Sequence, residues 1–297
     1  MSNISIVHGR IIKGIAGFYY VDSEDIIYEC KAKGRFRNEK LKPLVGDYVD
    51  IEVLDPEKKT GNIISISKRS NELIRPAVSN ISLALLVFAL KDPMPSLNML
   101  MRFFIMIRKQ SVKIRIVFTK KDLCDDDTIE NYHRFFDGFD TDVFLVDNKT
   151  RDGIEAVKKA ISGETVVLAG PSGVGKSSLL NNLTDIDHME TGEISDKIKR
   201  GKHTTRYSQI IPMGDDTYIV DTPGFTSLYL LDMKEDEVKE YFVPFHEYEG
   251  KCRFNCCSHT HEPDCAVSQA VESGYINRDL YECYVDLYRE LKEKKTY

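Results

Sequence analysis

Over roughly the first seventy residues, apolar and polar positions alternate at short range. Val49, Ile51 and Val53 are interleaved with Asp50 and Glu52, and Ile64 and Ile66 with Ser65 and Ser67. This period of two predicts half-buried strands. The stretches 9–22 and 25–37 have the same character and suggest hairpin partners, with glycines at 14, 17, 34, 46 and 61 marking the turns. Some five short strands in this space predict a small β-barrel; an OB-fold is one form, a β-sandwich fragment another. From about residue 80 the rhythm changes. Apolar strands are predicted at 81–90, 113–119, 142–147, 164–169 and 217–221, with helical stretches at 96–110, 127–139 and 151–162. Strands alternating with helices predict a doubly wound parallel sheet. The rest holds acidic helix formers, a Cys/His-rich stretch and a helical tail at 277–295. The chain thus divides into segments 1–72, 73–230 and 231–297.

No apolar run reaches the roughly 18–20 residues of a membrane span, and the N-terminus lacks the basic-then-apolar layout of a signal peptide. A cytoplasmic protein without a membrane partner is the expectation. A net charge of −6 over 297 residues argues against a uniformly basic nucleic-acid coat. Locally, residues 31–42 carry six Lys/Arg against one Glu, with Phe36 between basic residues. A barrel loop of that kind is expected to combine phosphate attraction with base stacking.

Residues 170–178 carry the first chemistry. Gly170, Gly175, Lys176 and Ser177 fit G-x-x-x-x-G-K-[ST], after an apolar strand and before a helix-forming run. Gly170, Pro171, Ser172, Gly173, Val174, Gly175, Lys176, Ser177 and Ser178 are therefore expected to hold a nucleotide. The loop's N–H groups would face the phosphates, Lys176 would reach the β- and γ-phosphates, and Ser177 would bind Mg²⁺. Farther on, 219–224 read Ile-Val-Asp-Thr-Pro-Gly. In P-loop enzymes a strand-terminal Asp holds Mg²⁺, usually through water, and the Gly N–H senses the γ-phosphate; these roles fall to Asp221 and Gly224. Between the two motifs, "KIKRGKHTTR" at 197–206 resembles a switch segment in which Thr204 or Thr205 completes the Mg²⁺ shell, with Thr205 favoured.

The guanine reader comes from the wrong side of the phosphate loop. Thr119-Lys120-Lys121-Asp122 fits [NT]-K-x-D at the end of a predicted strand, about fifty residues before the loop. The Asp carboxylate accepts from guanine N1–H and N2–H₂, and the stem of Lys120 packs over the ring. A second match to the spacing, Met-Lys-Glu-Asp at 233–236, follows Asp221 too closely and sits in an acidic stretch. The strands missing after the phosphate loop are the ones before it, so the order predicts a circularly permuted GTP-binding domain. The strand at 142–148, ending in Val-Asp-Asn, then reaches the place of the second base-contacting loop, in degenerate form.

Four of seven cysteines fall within 252–265, which in a reducing compartment favours a metal site over disulfides. Cys252, Cys257, His259 and Cys265 give C-x₄-C-x-H-x₅-C, a donor set suited to one closed tetrahedral structural zinc. Cys256 and His261 compete for the same roles.

Taken together, "GPSGVGKSSLLN", "GKHTTR", "DTPGF" and "CRFNCCSHTHEPDCAV" make the whole chain resemble the circularly permuted GTPases of the RsgA/YjeQ family. The resemblance implies an N-terminal OB-fold, a central permuted P-loop GTPase domain and a C-terminal zinc domain. It also implies GTP hydrolysis stimulated by the 30S ribosomal subunit during late subunit maturation. Contact with 16S rRNA, GTP and GDP as ligands, and release on hydrolysis follow; a monomer is expected. Phe225 stands where Ras-like enzymes carry the glutamine that orients the attacking water, so intrinsic turnover should be slow, and His203 is the candidate to position that water. Thr119, in place of the commoner Asn, should leave guanine selectivity to Asp122.

Overall fold

In this computed structural model, residues 5–24, 26–34, 36, 41–73, 77–185, 208–225 and 233–294 are described, with 222–225 as backbone only. The alternating first segment closes its apolar face upon itself. Strands β1 (Ser5–Ile15), β2 (Phe18–Ser23), β3 (Ile26–Ala32), β4 (Tyr48–Asp55) and β5 (Thr60–Ile66) run in the order β1-β2-β3-β5-β4, and β4 pairs back onto β1. Only the β3–β5 pair in this barrel is parallel. This is the five-stranded closed barrel of an OB-fold, which removes the sandwich alternative. Ile11, Val21, Val49, Ile51 and Ile63 are fully buried inside it.

A short hairpin of β6 (Glu72–Leu73) and β7 (Val78–Ser79) leads out of the barrel. Asp47, fully buried, pins this exit. It takes both oxygens to Arg69 (Nε and Nη2, each 2.7 Å) and accepts from Ser79 Oγ at 2.6 Å and Leu44 N at 2.8 Å. Every lone pair of the buried carboxylate that matters is thus satisfied by a charged or polar donor.

Next come β8 (Leu83–Ala89), α1 (Leu97–Arg108), β9 (Lys113–Thr119), α2 (Asp126–Phe135), β10 (Val143–Leu145), α3 (Ile154–Ile161), β11 (Thr165–Ala169), α4 (Lys176–Thr184), β12 (Gln209–Gly214) and β13 (Thr217–Phe225). Their sheet order is β10-β9-β8-β11-β13-β12. All seven residues of β8 are buried, and they alternate between two cores: Ala84, Leu86 and Phe88 face one, Leu83, Leu85 and Val87 the other. A strand covered on both faces needs no polar positions, which is why 81–90 reads as an unbroken apolar run. The α1 and α2 side forms the first core, α3 and α4 the second.

Three features depart from the sequence expectation. The sheet is not wholly parallel, since β12 pairs antiparallel with β13. The strand β12 was not predicted, because Pro212 interrupts its apolar pattern. β13 also continues past Asp221 to Phe225 instead of ending there. Beyond these, β1 pairs with β12 at Lys13 and Gln209, so barrel and central sheet form one eleven-stranded sheet.

The last segment begins with 3-10 turns at Glu235–Tyr241 and Val243–Tyr248, where the acidic stretch suggested a helix, followed by α5 (Ala266–Glu272) and α6 (Arg278–Lys294). Tyr284 packs edge to face on Phe242 and Phe245, with centroids 5.2 and 4.9 Å away, and the two phenylalanine rings lie tilted to each other at 5.5 Å. Arg102 of α1 binds Glu290 of α6, and this pair with Lys294 holds the Glu290 carboxyl down at about 2. Its stabilising contribution is present above the ordinary carboxyl value and is lost as pH falls from about 4.5 towards about 2. Glu290→Gln should therefore cost about 1 kcal/mol and lower Tm by about 2–4 °C at neutral pH. The difference from the parent should vanish in melts near the acid end of that window.

Candidate functional site: a nucleotide cleft and a Cys₃His cluster

The strand order reverses between β8, which leads outward to β9 and β10, and β11, which leads to β13 and β12. Ligands of open α/β sheets bind at such a reversal, beyond the carboxyl ends of the strands. The phosphate loop follows β11, the Thr-Lys-Lys-Asp motif follows β9, and Val146-Asp147-Asn148 follows β10, all at that edge.

Hydrogen bonds tie the three loops together. Thr119, fully buried, donates from Oγ1 to the Val174 carbonyl inside the phosphate loop at 2.5 Å. Asn148 Nδ2 donates to the Gly175 carbonyl at 3.3 Å, and Asn182 of α4 holds Asn148 by its backbone oxygen at 2.9 Å. Thr119 is thus a tie between motif and loop, and its side chain is not free to touch a base. Two glycines permit the loop's path: a Cβ at Gly170 would collide with the Val87 carbonyl, and one at Gly175 would press within 3.0 Å of Asn148 Nδ2, both at positive φ.

Lys176 opens α4 and folds back over the loop, donating from Nζ to the carbonyls of Gly170 (2.9 Å) and Pro171 (2.5 Å). Burial, with no carboxylate partner among the described residues, lowers its pKa to about 8. Phosphate oxygens at this point would favour the charged form again. Nucleotide binding at pH 8.5 should therefore take up a substantial fraction of one proton. Calorimetry in buffers of different ionisation heat measures it; binding without proton uptake would contradict this account of Lys176. Ser172, Gly173 and Ser177 are exposed, and Pro171 and Ser178 are partly so.

On the base side, Lys120 adopts a left-handed backbone and donates to the Asp92 carbonyl, while Lys121 turns away to Asp152 at 2.8 Å. Asp122 is ion-paired to Lys149 at 2.9 Å. Lys149 is placed by its own backbone N–H, which donates to Asp147 Oδ1 at 2.8 Å. The sequence pointed to the loop through the degenerate Val-Asp-Asn that ends in Asn148, but not to Lys149 or to the bonds that Asn148 makes. Asp221 lies on β13 beside β11, and Gly224 on the same strand. His203, Thr204 and Thr205 lie outside the described residues.

The four predicted metal ligands converge. Donor atoms of Cys252, Cys257, His259 and Cys265 all lie within 4.8 Å of one another. His259 Nδ1 is 3.6 Å from Cys252 Sγ and 3.4 Å from Cys265 Sγ. Burial pushes the Cys257 thiol up to about 12 and raises Cys265, so thiolates here need a cation. Backbone N–H groups of Ala266 (3.3 Å) and Ser268 (3.5 Å) already point at the Cys252 and Cys265 sulfurs. Such a donor set fits a tetrahedral metal ion. Helix α6 holds the loop from behind, with Tyr281 donating to the His259 carbonyl (2.9 Å) and Tyr284 to that of Ser258 (2.5 Å). The competing Cys256 is exposed and outside the cluster, and His261 bonds Thr260 instead.

One expectation fails. Phe36 is 4% exposed and belongs to the barrel core, so it cannot stack on a base. An aromatic flanked by basic residues reads the same in sequence whether it faces solvent or anchors its loop.

A phosphate loop, a preceding guanine motif and a strand-borne Asp on one sheet edge define a P-loop GTPase with a circularly permuted domain. The RsgA GTPase profile matches residues 66–231 and the RsgA N-terminal domain profile residues 8–63. The small ribosomal subunit biogenesis GTPase RsgA of Agathobacter rectalis is 49% identical over 97% of this chain and 99% of its own length. That of Clostridium perfringens is 44% identical over 97% and 99%. Among solved structures, YjeQ from Thermotoga maritima superposes with a TM-score of 0.81 at 32% identity, covering 97% of this chain and 99% of its own. YloQ, a circularly permuted GTPase, gives 0.79 at 34% identity over 98% and 96%. The chain belongs to the RsgA GTPase family.

Proposed function

We propose that this GTPase binds the 30S ribosomal subunit and assists its late maturation, hydrolysing GTP to GDP and phosphate when the subunit stimulates it, and leaving on hydrolysis. The observation that carries the nucleotide half is the bond from Thr119 to Val174, which fixes the guanine motif against the phosphate loop. The ribosomal half is supported by relatives named small ribosomal subunit biogenesis GTPases.

In this reading Asp122 accepts from the guanine edge after releasing Lys149, and the stem of Lys120 covers the ring. Gly170 to Ser178 cradle the phosphates. Ser177, Asp221 (through water) and Thr205 hold Mg²⁺, with Thr204 the alternative, and the Gly224 N–H senses the γ-phosphate. His203 positions the attacking water once the ribosome orders its segment; full subunit-stimulated turnover in His203→Ala, with normal GTP binding, would remove that role. Cys252, Cys257, His259 and Cys265 hold one structural zinc. Segments 1–72, 73–230 and 231–297 serve as RNA-binding barrel, GTPase domain and zinc domain of a cytoplasmic monomer that contacts 16S rRNA. Among the described residues no helix is long and apolar enough to cross a membrane.

Asp122→Asn tests the base assignment. An amide offers one acceptor where the carboxylate offers two, so GTP affinity should fall about a hundredfold. ATP affinity should not change. Competition binding of GTP against ATP reads this; equal loss for both nucleotides would mean that Asp122 does not read the base.

A further inference from the structure

A second cleft, of about 730 Å³, lies where the barrel meets the central sheet, on the side away from the phosphate loop's strand ends. Arg10 of β1 lines it and is 4% exposed. Its guanidinium lies between two rings, 5.0 Å from the centroid of Tyr48 on β4 and 4.6 Å from that of Tyr218 on β13. Among the described residues, its guanidinium makes one long hydrogen bond, from Nη2 to the Asn80 carbonyl at 3.3 Å, and both Nε and Nη1 are buried without a partner. Arg10 forms no ion pair with a carboxylate among the described residues, although Asp22 sits opposite it on β2.

A guanidinium cannot shed its charge, and a desolvated, unpaired cation is costly to keep. Two cation–π contacts offset only part of that cost. A chain that retains such a group is left with donors suited to an incoming anion. The cleft wall adds Lys68, which no carboxylate pairs with among the described residues, and Arg69, already spent on Asp47 and Glu72. Two acidic groups also line it: Glu164 is turned to Lys113, and Asp216 occupies the β12–β13 turn. Tyr48 extends the aromatic row outward, since His8 stacks on it with planes 4° apart. Cations beside stacked rings suit a phosphate carried on a nucleotide.

We propose that this seam cleft is a phosphate-binding site, separate from the GTP site, in which Arg10 and Lys68 take one phosphate group of either single-stranded RNA or a free phosphate compound. The RNA source rests on the proposed ribosomal role; the free-phosphate source does not. Binding at Nε and Nη1, which are closed off from solvent, then moves the exposed Tyr48 ring aside.

The test uses the full chain saturated with GDP and Mg²⁺, so that the nucleotide site is filled. Arg10→Met keeps a linear apolar stem between the rings, and Lys68→Gln changes only a surface charge. A short oligouridylate should bind each variant about tenfold more weakly, with the salt slope of log affinity reduced by about 0.7 per lost contact. Millimolar inorganic phosphate should raise the Tm of the parent but not of Arg10→Met, whose own Tm should be no lower than the parent's. Loss of the phosphate effect with RNA binding unchanged assigns the site to a free phosphate compound and still supports it. Unchanged RNA binding, salt slope and phosphate effect in both variants would overturn it, leaving Arg10 as a pin between barrel and sheet. A parent chain that small subunits fail to stimulate would sink the ribosomal reading while leaving the phosphate measurement intact.

Discussion

Lys176→Ala is expected to lower GTP turnover by about two to three orders of magnitude. Nζ already lies over the phosphate loop, within hydrogen-bond reach of the Gly170 and Pro171 carbonyls. In the proposed role, a swing of the flexible stem would bring it to the bridging region between β- and γ-phosphates, where charge grows as the bond breaks. The loop itself should survive, because Thr119, Asn148 and Asn182 hold it independently of Lys176. The loss should therefore appear in nucleotide affinity and turnover together, with Tm little changed or raised, since the buried ammonium that is removed has two carbonyls but, among the described residues, no carboxylate to offset its desolvation. Turnover measured alongside differential scanning fluorimetry separates the cases. A variant that melts much lower would show that the lysine is needed by the loop rather than by the phosphates.

Cys257→Ala is the second large effect. Structural zinc contributes on the order of 10 kcal/mol or more of apparent folding free energy in small sites. Beyond the cluster, the loop from Cys252 to Cys265 is held by Glu262, whose carboxylate accepts from the N–H groups of Ser258 (2.7 Å), Thr260 (3.2 Å) and His261 (3.3 Å), by the exposed Arg253–Asp264 pair across its ends (3.0 Å), and by two tyrosine hydroxyls. The parent should carry one zinc per chain by metal analysis, and the variant none. Hydrogen exchange in 250–265 should rise to near that of an unfolded chain, while β8 and β11 stay protected, since one face of each strand packs in a core that does not include the Cys/His loop. Cys256→Ala should change neither reading. Loss of zinc in Cys256→Ala instead would reassign the fourth ligand.

Much of this was legible in the chain, for reasons that differ by element. β8 could be placed because burial on both faces leaves an unbroken apolar run. The phosphate loop and the Cys₃His cluster could be placed because their chemistry fixes residue types at fixed spacing, close together along the chain. The permuted order was legible because motif order is itself a sequence property. The failures are all matters of long-range packing. Nothing near Phe36 tells that it turns inward. Gln209–Gly214 becomes a strand only because β13 and β1 offer it edges, against a proline that argues the other way. The Lys149–Asp122 pair spans 27 residues, and Arg10 meets Tyr218 from the far end of the chain. Such pairings leave no periodic trace in either partner.

The account stands or falls on phosphate release from GTP and from ATP, each measured alone and with purified 30S or 50S subunits. It predicts slow turnover of GTP alone, strong stimulation by 30S only, and no comparable response with ATP. GTP turnover indifferent to 30S would contradict the ribosomal role, and a preference for ATP would contradict the assignment of Thr119–Asp122 as the guanine reader.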